Sequence, residues 1–567
     1  MKKLVNNPLT VVREMLEGAV AIAPGQALLA GENVVVQADL PSAETRRVAI
    51  LSGGGSGHEP AHAGYVGAGM LTAAVAGDVF TSPSSDAVLH AIRACAGPAG
   101  AVLIVKNYTG DRLNFGLAAE MARAEGIPVE VVVVADDVAL HQTVEESRRR
   151  GIAGTVLVHK IAGAAAAAGA SLTDIAAVAR SAAAEVGSMG VALGSCTLPA
   201  VGHPSFVLSE DEIEIGLGIH GEPGVERARI DTAEKLVQRV VGTIVEDRKI
   251  SRGANVALLV NGLGSTPSME LAIVLGDALG ALRKREIVVA RAWCGTFLSA
   301  LDMPGFSLSI LPVDEQRLAL LDAGTEAPAW PGKGVVNERP LIDEPPSTGA
   351  DETEGSVGGP HTMSPLRDAV IGAAKALINQ EATLTELDTK AGDGDLGSSM
   401  ARGAAAAIAL PPTAWGAPAI ALTNLGHALR RAIAGSSGPF YATALLRAAR
   451  CLGDTSSPTY RDWADAFTSA VATISELGGA KMGDRTMVDA LQPAAEAFRR
   501  ALDAGRTAGE AWSEAVAAAR AGRDATARMK PRLGRASYLG DRAVGIPDAG
   551  AAAVVCWMEG LLCFFME

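Results

Sequence analysis

From about residue 45 to 330, short runs of aliphatic and β-branched residues alternate with longer Ala-rich stretches of helical period. Val48–Leu51, Ala101–Val105, Val129–Val134, Ala257–Val260 and Ile287–Val289 are continuous apolar runs of strand length, the pattern of strands buried on both faces. Helical stretches follow several of them, which predicts α/β layering around a largely parallel sheet. Residues 171–190 are predicted as helix. A further change of unit is expected near 190–250, so the region should hold two α/β subdomains.

Between about 328 and 363 the periodicity stops and Pro, Gly and acidic residues take over, which predicts a linker. Beyond Ser364 the chain reads as helix throughout, in long Ala/Leu/Arg segments broken by Gly-containing loops. The expected division is an α/β region over 1–328, a linker over 329–363 and an all-α domain over 364–567.

A chain of 567 residues is too long for one core. Its formal charge of −14 argues against a general nucleic-acid binder, which needs clustered Lys and Arg. A nucleotide site needs only local neutralisation and stays open. The Ala-rich stretch Ala162–Ala170 is too short to span a membrane and reads as a buried helix. Met1-Lys2-Lys3 followed by Asn6-Asn7-Pro8 lacks the apolar centre of a secretory signal. The six cysteines are scattered, with no CxxC pair, as in a reduced cytoplasmic protein.

Candidate chemistry falls where predicted strands end. Ser52-Gly53-Gly54-Gly55-Ser56-Gly57-His58-Glu59-Pro60 follows the strand ending at Leu51. Glycines there let the backbone approach a small ligand, or simply make a tight turn. Lys106-Asn107-Tyr108-Thr109-Gly110-Asp111 follows the strand at 101–105, and α/β sheets bind ligands at that strand edge. Gly216-Leu217-Gly218-Ile219-His220-Gly221-Glu222-Pro223-Gly224 sets a histidine among glycines beside Glu222, which could orient the ring. A neutral imidazole nitrogen can add to a carbonyl carbon.

In the second domain no Gly-x-x-x-x-Gly-Lys-[Ser/Thr] occurs. Asp388, Asp393 and Asp395, separated by glycines, suit a hard cation with oxygen ligands. Three more Gly-rich loops lie at 434–439, 478–487 and 534–541. A helix following Ser436-Ser437 would aim its N-terminal amides at phosphate; ordinary Ser/Gly capping is the simpler reading of any one loop.

These strings, with His159-Lys160-Ile161-Ala162-Gly163, occur in the order of the single-chain dihydroxyacetone kinases, which the sequence resembles over most of 10–330 and nearly all of 364–567. The resemblance implies an α/β ketone-binding region followed by an eight-helix barrel that binds ATP. It implies that His220 forms a hemiaminal with the substrate carbonyl. Gly55, Ser56, Gly57, His58, Lys106 and Asp111 would line the substrate pocket, with His58 or Asp111 as general base. Asp388, Asp393 and Asp395 would hold two magnesium ions. Leu396, Gly397, Ser398, Ser399, Ser436, Ser437, Gly478, Met487, Arg535, Asp548, Ala549 and Gly550 would contact the nucleotide. A cytoplasmic homodimer is implied, with no nucleic-acid or membrane partner.

Two positions depart from the family pattern. Leu396 stands where relatives often carry His or Thr, and Ala549 where Pro is usual. Competing readings are a kinase for erythrulose or glyceraldehyde, a lyase that cyclises FAD, and a non-enzymatic ketone sensor. The intact carboxylate cluster weighs against the sensor.

Overall fold

The computed structural model describes residues 3–141, 144–204, 206–222, 224–337, 365–433, 435 and 437–566. The chain divides between Ile342 and Asp343 into two compact units.

The first unit carries β1 (Gln26–Leu28), β2 (Val34–Gln37), β3 (Ala49–Ser56), β4 (Ala73–Val79), β5 (Ala101–Lys106), β6 (Val129–Val134), β7 (Gly187–Ala192), β8 (Glu212–Ile215), β9 (Glu226–Arg229), β10 (Asn255–Gly262), β11 (Val288–Gly295) and β12 (Gly305–Pro312). They form two sheets, ordered β1-β2-β4-β3-β5-β6 and β11-β10-β12-β7-β8-β9. In the first sheet β4, β3, β5 and β6 run parallel, as the apolar runs predict. The second sheet departs from that expectation. Only β10 and β11 are parallel there, and the pairs β10–β12, β12–β7, β7–β8 and β8–β9 are antiparallel.

Strand β7 reads Gly-Ser-Met-Gly-Val-Ala and β12 interrupts its apolar residues with Ser307 and Ser309. Neither shows a continuous apolar run, so the expected helix at 171–190 ends at Glu185 and its tail is strand.

Eight helices complete the unit: α1 (Val11–Ala21), α2 (Ser85–Cys95), α3 (Thr109–Ala124), α4 (Thr155–Ala167), α5 (Leu172–Glu185), α6 (Ala233–Asp247), α7 (Ser268–Lys284) and α8 (Glu315–Asp322). In α4 every residue from Thr155 to Ala166 is buried. Helices α4 and α5 share one apolar cluster with Ile50 and Ile104 of the first sheet and Leu259 and Leu311 of the second. A helix placed between two sheets has no solvent face, which is why this one is apolar all round. Residues 329–337, assigned to the linker by composition, pack on this unit. Trp330 is buried, and Trp293 Nε1 donates to Gly332 O at 2.8 Å. The remaining expected linker, 338–363, lies outside the described residues.

The second unit is helical among its described residues: α9 (Pro365–Asn379), α10 (Glu381–Ala391), α11 (Leu396–Ile408), α12 (Pro418–Ala432), α13 (Ser437–Leu452), α14 (Tyr460–Gly478), α15 (Val488–Asp503), α16 (Ala508–Thr526), α17 (Ala549–Gly560) and α18 (Leu562–Met566). Eight of them close a ring in the order α9-α11-α12-α13-α14-α15-α16-α17, with α17 back against α9. This is the expected eight-helix barrel. Capping boxes at Thr459/Asp462 and Thr507/Glu510 start α14 and α16. The barrel encloses an apolar cavity of about 250 Å³. Alternation around the ring brings the N-termini of α11, α13, α15 and α17 to one end.

Small residues in α4 set how closely it approaches the loop before β4. A Cβ on Gly163 would fall 2.2 Å from Met70 Cα and 2.3 Å from Met70 O. Both are backbone, with little freedom to give. Gly163→Ala should therefore lower unfolding stability by about 1–3 kcal/mol, measured by chemical denaturation.

Candidate active site

The first site forms where β3, β5 and the loop after β8 converge. Strand β3 is buried along all of its eight residues, Ala49 to Ser56. Its glycines are sterically required. A Cβ on Gly53 would lie 2.2 Å from Val75 O, one on Gly55 2.5 Å from Thr81 N, and one on Gly54 2.5 Å from Lys106 Nζ. Ser56 Oγ donates to Gly77 O at 2.7 Å, which commits its proton to β4. The loop 299–301 pairs with the turn beyond β3: Ser299 N donates to His58 O at 3.1 Å and Leu301 N to Gly57 O at 2.7 Å.

His58 is fully buried and stacks on Phe80, ring centroids 5.2 Å apart. Its Nδ1 lies 2.8 Å from Ser299 O and its Nε2 3.0 Å from His220 Nε2. A carbonyl only accepts, so His58 carries its proton on Nδ1 and presents a lone pair at Nε2. His220 Nε2 must then donate. His220 Nδ1 lies 3.2 Å from Glu222 Oε1, and its backbone N–H donates to Glu222 Oε2 at 2.8 Å. Burial pushes the Glu222 carboxyl up, but the hydrogen bonds and charge of His220 outweigh this and hold it at about 2. A carboxylate cannot donate, so His220 Nδ1 is the donor in that contact. Burial, and then the nearby charges of His220 and Lys106, hold His58 neutral, well below the usual histidine range. Tyr108 meets the His220 ring edge-on at 4.6 Å.

Lys106 ends β5 and is fully buried. Its Nζ donates to Gly53 O at 3.1 Å and meets His62 Nε2 at 2.8 Å, while Asp111 Oδ2, on the first turn of α3, stands 3.9 Å away. Burial pushes the Lys106 ammonium down, and Asp111 opposes that. His62 Nδ1 in turn meets His159 Nε2 of α4 at 3.0 Å.

The structure thus places His58, His220, Lys106, Asp111 and the backbone of 55–57 in one neighbourhood. Sequence reasoning passed over His62, although a second histidine four residues after His58 was a readable signal. Phe80 and Ser299 are contributed by tertiary contact alone and left no local trace.

The second site lies at the end of the barrel where the four N-termini meet. Carboxylate oxygens of Asp388, Asp393 and Asp395 lie within 4.8 Å of one another. Asp388 Oδ2 accepts from Asp395 N at 3.0 Å and Leu396 N at 3.1 Å, which fastens the loop to the start of α11. Gly392 leaves room for this: its Cβ would sit 2.1 Å from Asp388 Oδ1. Clustered carboxylate oxygens fit a magnesium ion. They border a cavity of about 420 Å³ that is also lined by Leu396, Ser399, Ser437, Gly478, Met487, Asp548, Ala549 and Gly550. Gly397 and Ser398 are not on its wall. Gly397 packs on α10, where a Cβ would meet Thr385 Oγ1 at 2.1 Å, and Ser398 Oγ donates to Asp395 O at 3.0 Å. Ser436 and the Arg535 side chain lie outside the description.

Arg485, within the Gly-rich loop 478–487, is a further wall residue. It is 1% exposed, and its Nη2 donates to Ile546 O at 2.8 Å and Ala543 O at 3.3 Å. It thereby pins the segment leading to Asp548. Leu396 lends its backbone N–H to Asp388, so the departure there spares that contact. Ala549 is the first residue of α17, a position where proline's missing N–H has no helical partner in any case, so alanine fits as well.

Residues 17–329 match the Dak1 domain and residues 390–563 the DAK2 domain. The chain is 42% identical to the Homo sapiens protein named triokinase/FMN cyclase, over 99% of each. It is 35% identical to the Mycolicibacterium smegmatis protein named D-erythrulose kinase, over 98% of this chain and 97% of that one. Its fold is similar to the crystal structure of the dihydroxyacetone kinase from C. freundii in complex with AMP-PNP and Mg2+, with a TM-score of 0.62, 35% identity and 99% of each chain covered.

Asp548 caps α17 through Ala551 N at 2.8 Å. Burial raises its carboxyl to about 6. A raised carboxyl penalises the folded state once it is ionised, so the penalty grows as pH rises from about 4 to about 6 and stays in full above. Asp548→Asn keeps the capping oxygen and removes the charge. In metal-free protein it should add about 1–2 kcal/mol of stability at pH 8 and nothing at pH 4, read from denaturant titrations at the two pH values.

Proposed function

The chain belongs to the dihydroxyacetone kinase family, and from that premise we propose that it transfers the γ-phosphoryl group of ATP to a primary hydroxyl of dihydroxyacetone held as a hemiaminal on His220. One observation carries the covalent part of this reading. Two imidazoles face each other Nε2 to Nε2 at 3.0 Å, with their outer nitrogens fixed by a carbonyl and a carboxylate.

That arrangement moves a proton without help from solvent. The Nε2 proton of His220 passes to the lone pair of His58 Nε2, and His220 becomes a neutral nucleophile. Its freed lone pair adds to the substrate carbonyl carbon as the C=O π bond opens. The carbonyl oxygen takes the proton back from His58. Glu222 holds the Nδ1–H of His220 throughout and favours the charge on the ring. Lys106 and Asp111 are then within reach of the terminal hydroxyls. We assign Asp111 the hydroxyl proton, since His58 is engaged with the carbonyl. The hydroxyl oxygen attacks the γ-phosphorus and the bond to ADP breaks.

Asp388, Asp393 and Asp395 would hold magnesium, two ions in this reading, which neutralises charge on the phosphates. The amides that start α11, α13, α15 and α17 would face the same phosphates. Glycerol offers similar hydroxyls and no carbonyl, so capture on His220 would select against it. The two sites sit in different units, so transfer requires them to meet, and we take residues 338–363 as the tether between them. By likeness to the family we further infer a cytoplasmic homodimer. The name of the human relative, triokinase/FMN cyclase, keeps a cyclase activity open as a second reading. That of the mycobacterial relative keeps erythrulose as an alternative substrate.

The test is ATP-dependent phosphorylation with magnesium, offering dihydroxyacetone, erythrulose, glyceraldehyde and glycerol in parallel. The expected result is the highest kcat/KM for dihydroxyacetone and no turnover of glycerol. His220→Ala should chiefly raise KM and let glycerol compete. Asp111→Asn should lower kcat by about 10²–10⁴-fold. Absence of turnover with every carbonyl substrate overturns the proposal, and a preference for a four-carbon ketose changes the substrate while keeping the mechanism.

A further inference from the structure

Behind Lys106 lies a second pair of histidines with no part in the chemistry described. His62 is 6% exposed and His159 fully buried. Burial, followed by the charge of Lys106, holds His62 neutral and takes His159 to about 3. The hydrogen-bond polarity of the chain is set from its charged end. An ammonium only donates, so His62 Nε2, 2.8 Å from Lys106 Nζ, must accept. His62 Nδ1 therefore carries the proton and donates across 3.0 Å to His159 Nε2. His159 is left with a proton on Nδ1, and that nitrogen is buried without a partner among the described residues. Nature rarely leaves such a donor inside a protein unless something else is gained.

The geometry points to His62 and His159 as positioning residues for phosphoryl transfer: His159 accepts the Nδ1–H of His62 and steadies its ring, and His62 holds Lys106 Nζ back from Asp111. This rests on the kinase reading above. Lys106 has three N–H groups. Gly53 O takes one and His62 takes the second, which leaves the third for the side where Asp111 Oδ2 stands 3.9 Å away. At that distance the ammonium and the carboxylate are neighbours and not a closed pair, so each can engage a substrate hydroxyl. Without an acceptor at His62, Lys106 keeps one anchor and closes onto Asp111. The closed pair would occupy the base and the hydroxyl donor together. The titratable groups facing this cluster are His58, Glu59, His62 and Tyr65 from the segment between β3 and β4, Asp111 from α3 and His159 from α4.

The experiment compares His62→Leu, His62→Gln, His159→Leu and His159→Gln in the full chain, with kcat, KM, the pH profile of kcat/KM and melting temperature measured for each. A misplaced reactive group costs about 100-fold. His62→Leu should therefore lose about 100-fold in kcat/KM for the ketone. Its acid limb should move to lower pH, because a closed ion pair favours the carboxylate charge. His62→Gln should recover most of the activity and the wild-type limb, since its amide oxygen can accept from Lys106. His159→Gln should resemble wild type, and His159→Leu should fall between.

Equal losses in His62→Leu and His62→Gln, or a loss with an unmoved acid limb, would overturn the assignment. A readout independent of activity is 15N NMR of the histidine-labelled chain, with the His62 and His159 signals identified from the Gln variants. Neutral Nδ1–H tautomers at both support the relay, and an Nε2–H tautomer at either refutes it. Failure of the wild-type chain to phosphorylate any ketone would count against the functional reading and leave the tautomer result standing.

Discussion

A carbonyl oxygen can only accept a hydrogen bond, and the carbonyl of Ser299 thereby decides how protons are arranged in the first candidate site. It forces the His58 proton onto Nδ1, which leaves a lone pair pointing at His220. Glu222 closes the other end as a pure acceptor. His220 thus stands between two acceptors, and in the proposed mechanism its lone pair is freed only when His58 takes the proton. Burial makes this arrangement strict, because a mismatched donor or acceptor in a dry site costs about 1–3 kcal/mol. The same logic, run from an ammonium instead of a carbonyl, orders Lys106, His62 and His159.

The barrel solves a different electrostatic problem. Three carboxylates in one loop repel each other. Asp388 is partly relieved by the amides of Asp395 and Leu396, so one side chain both shapes the loop and starts the helix. Four helix N-termini at the same end add positive potential where an anion has to sit. The ring arrangement supplies this without any dedicated sequence motif, since antiparallel neighbours alternate their ends around the circle.

How much of this was legible depended on whether a signal was local. The parallel strands β3, β5 and β6 announced themselves as apolar runs, and the residues after them were correctly placed at the strand edge. In the second sheet only the parallel pair β10 and β11 was legible; β7 and β12 stayed hidden because they mix Ser and Gly with apolar residues, and β8 and β9 because they carry Glu and Arg. The start of the linker was read too early, since Trp330 packs by tertiary contact in a segment whose composition is that of a loop. The carboxylate loop stands in the sequence as it stands in space. Gly397 and Ser398 share the phosphate motif yet face α10 and their own helix turn, because helical geometry distributes successive residues around the axis. Phe80 and Ser299 reach the site from 22 residues beyond His58 and from another sheet, and no spacing rule predicts that.

The crowding around β3 has an evolutionary corollary. Gly53, Gly54 and Gly55 each lack room for one additional carbon, so this wall of the ketone site is closed to mutational exploration. A lineage that shifts toward a larger or smaller ketose has to do so through neighbouring side chains such as Phe80 and Tyr108, which border His58 and His220 and are able to change in size. Divergence in substrate choice should therefore be written in a few positions distant from the most recognisable motif, and the motif itself says which chemistry is run, not on whom.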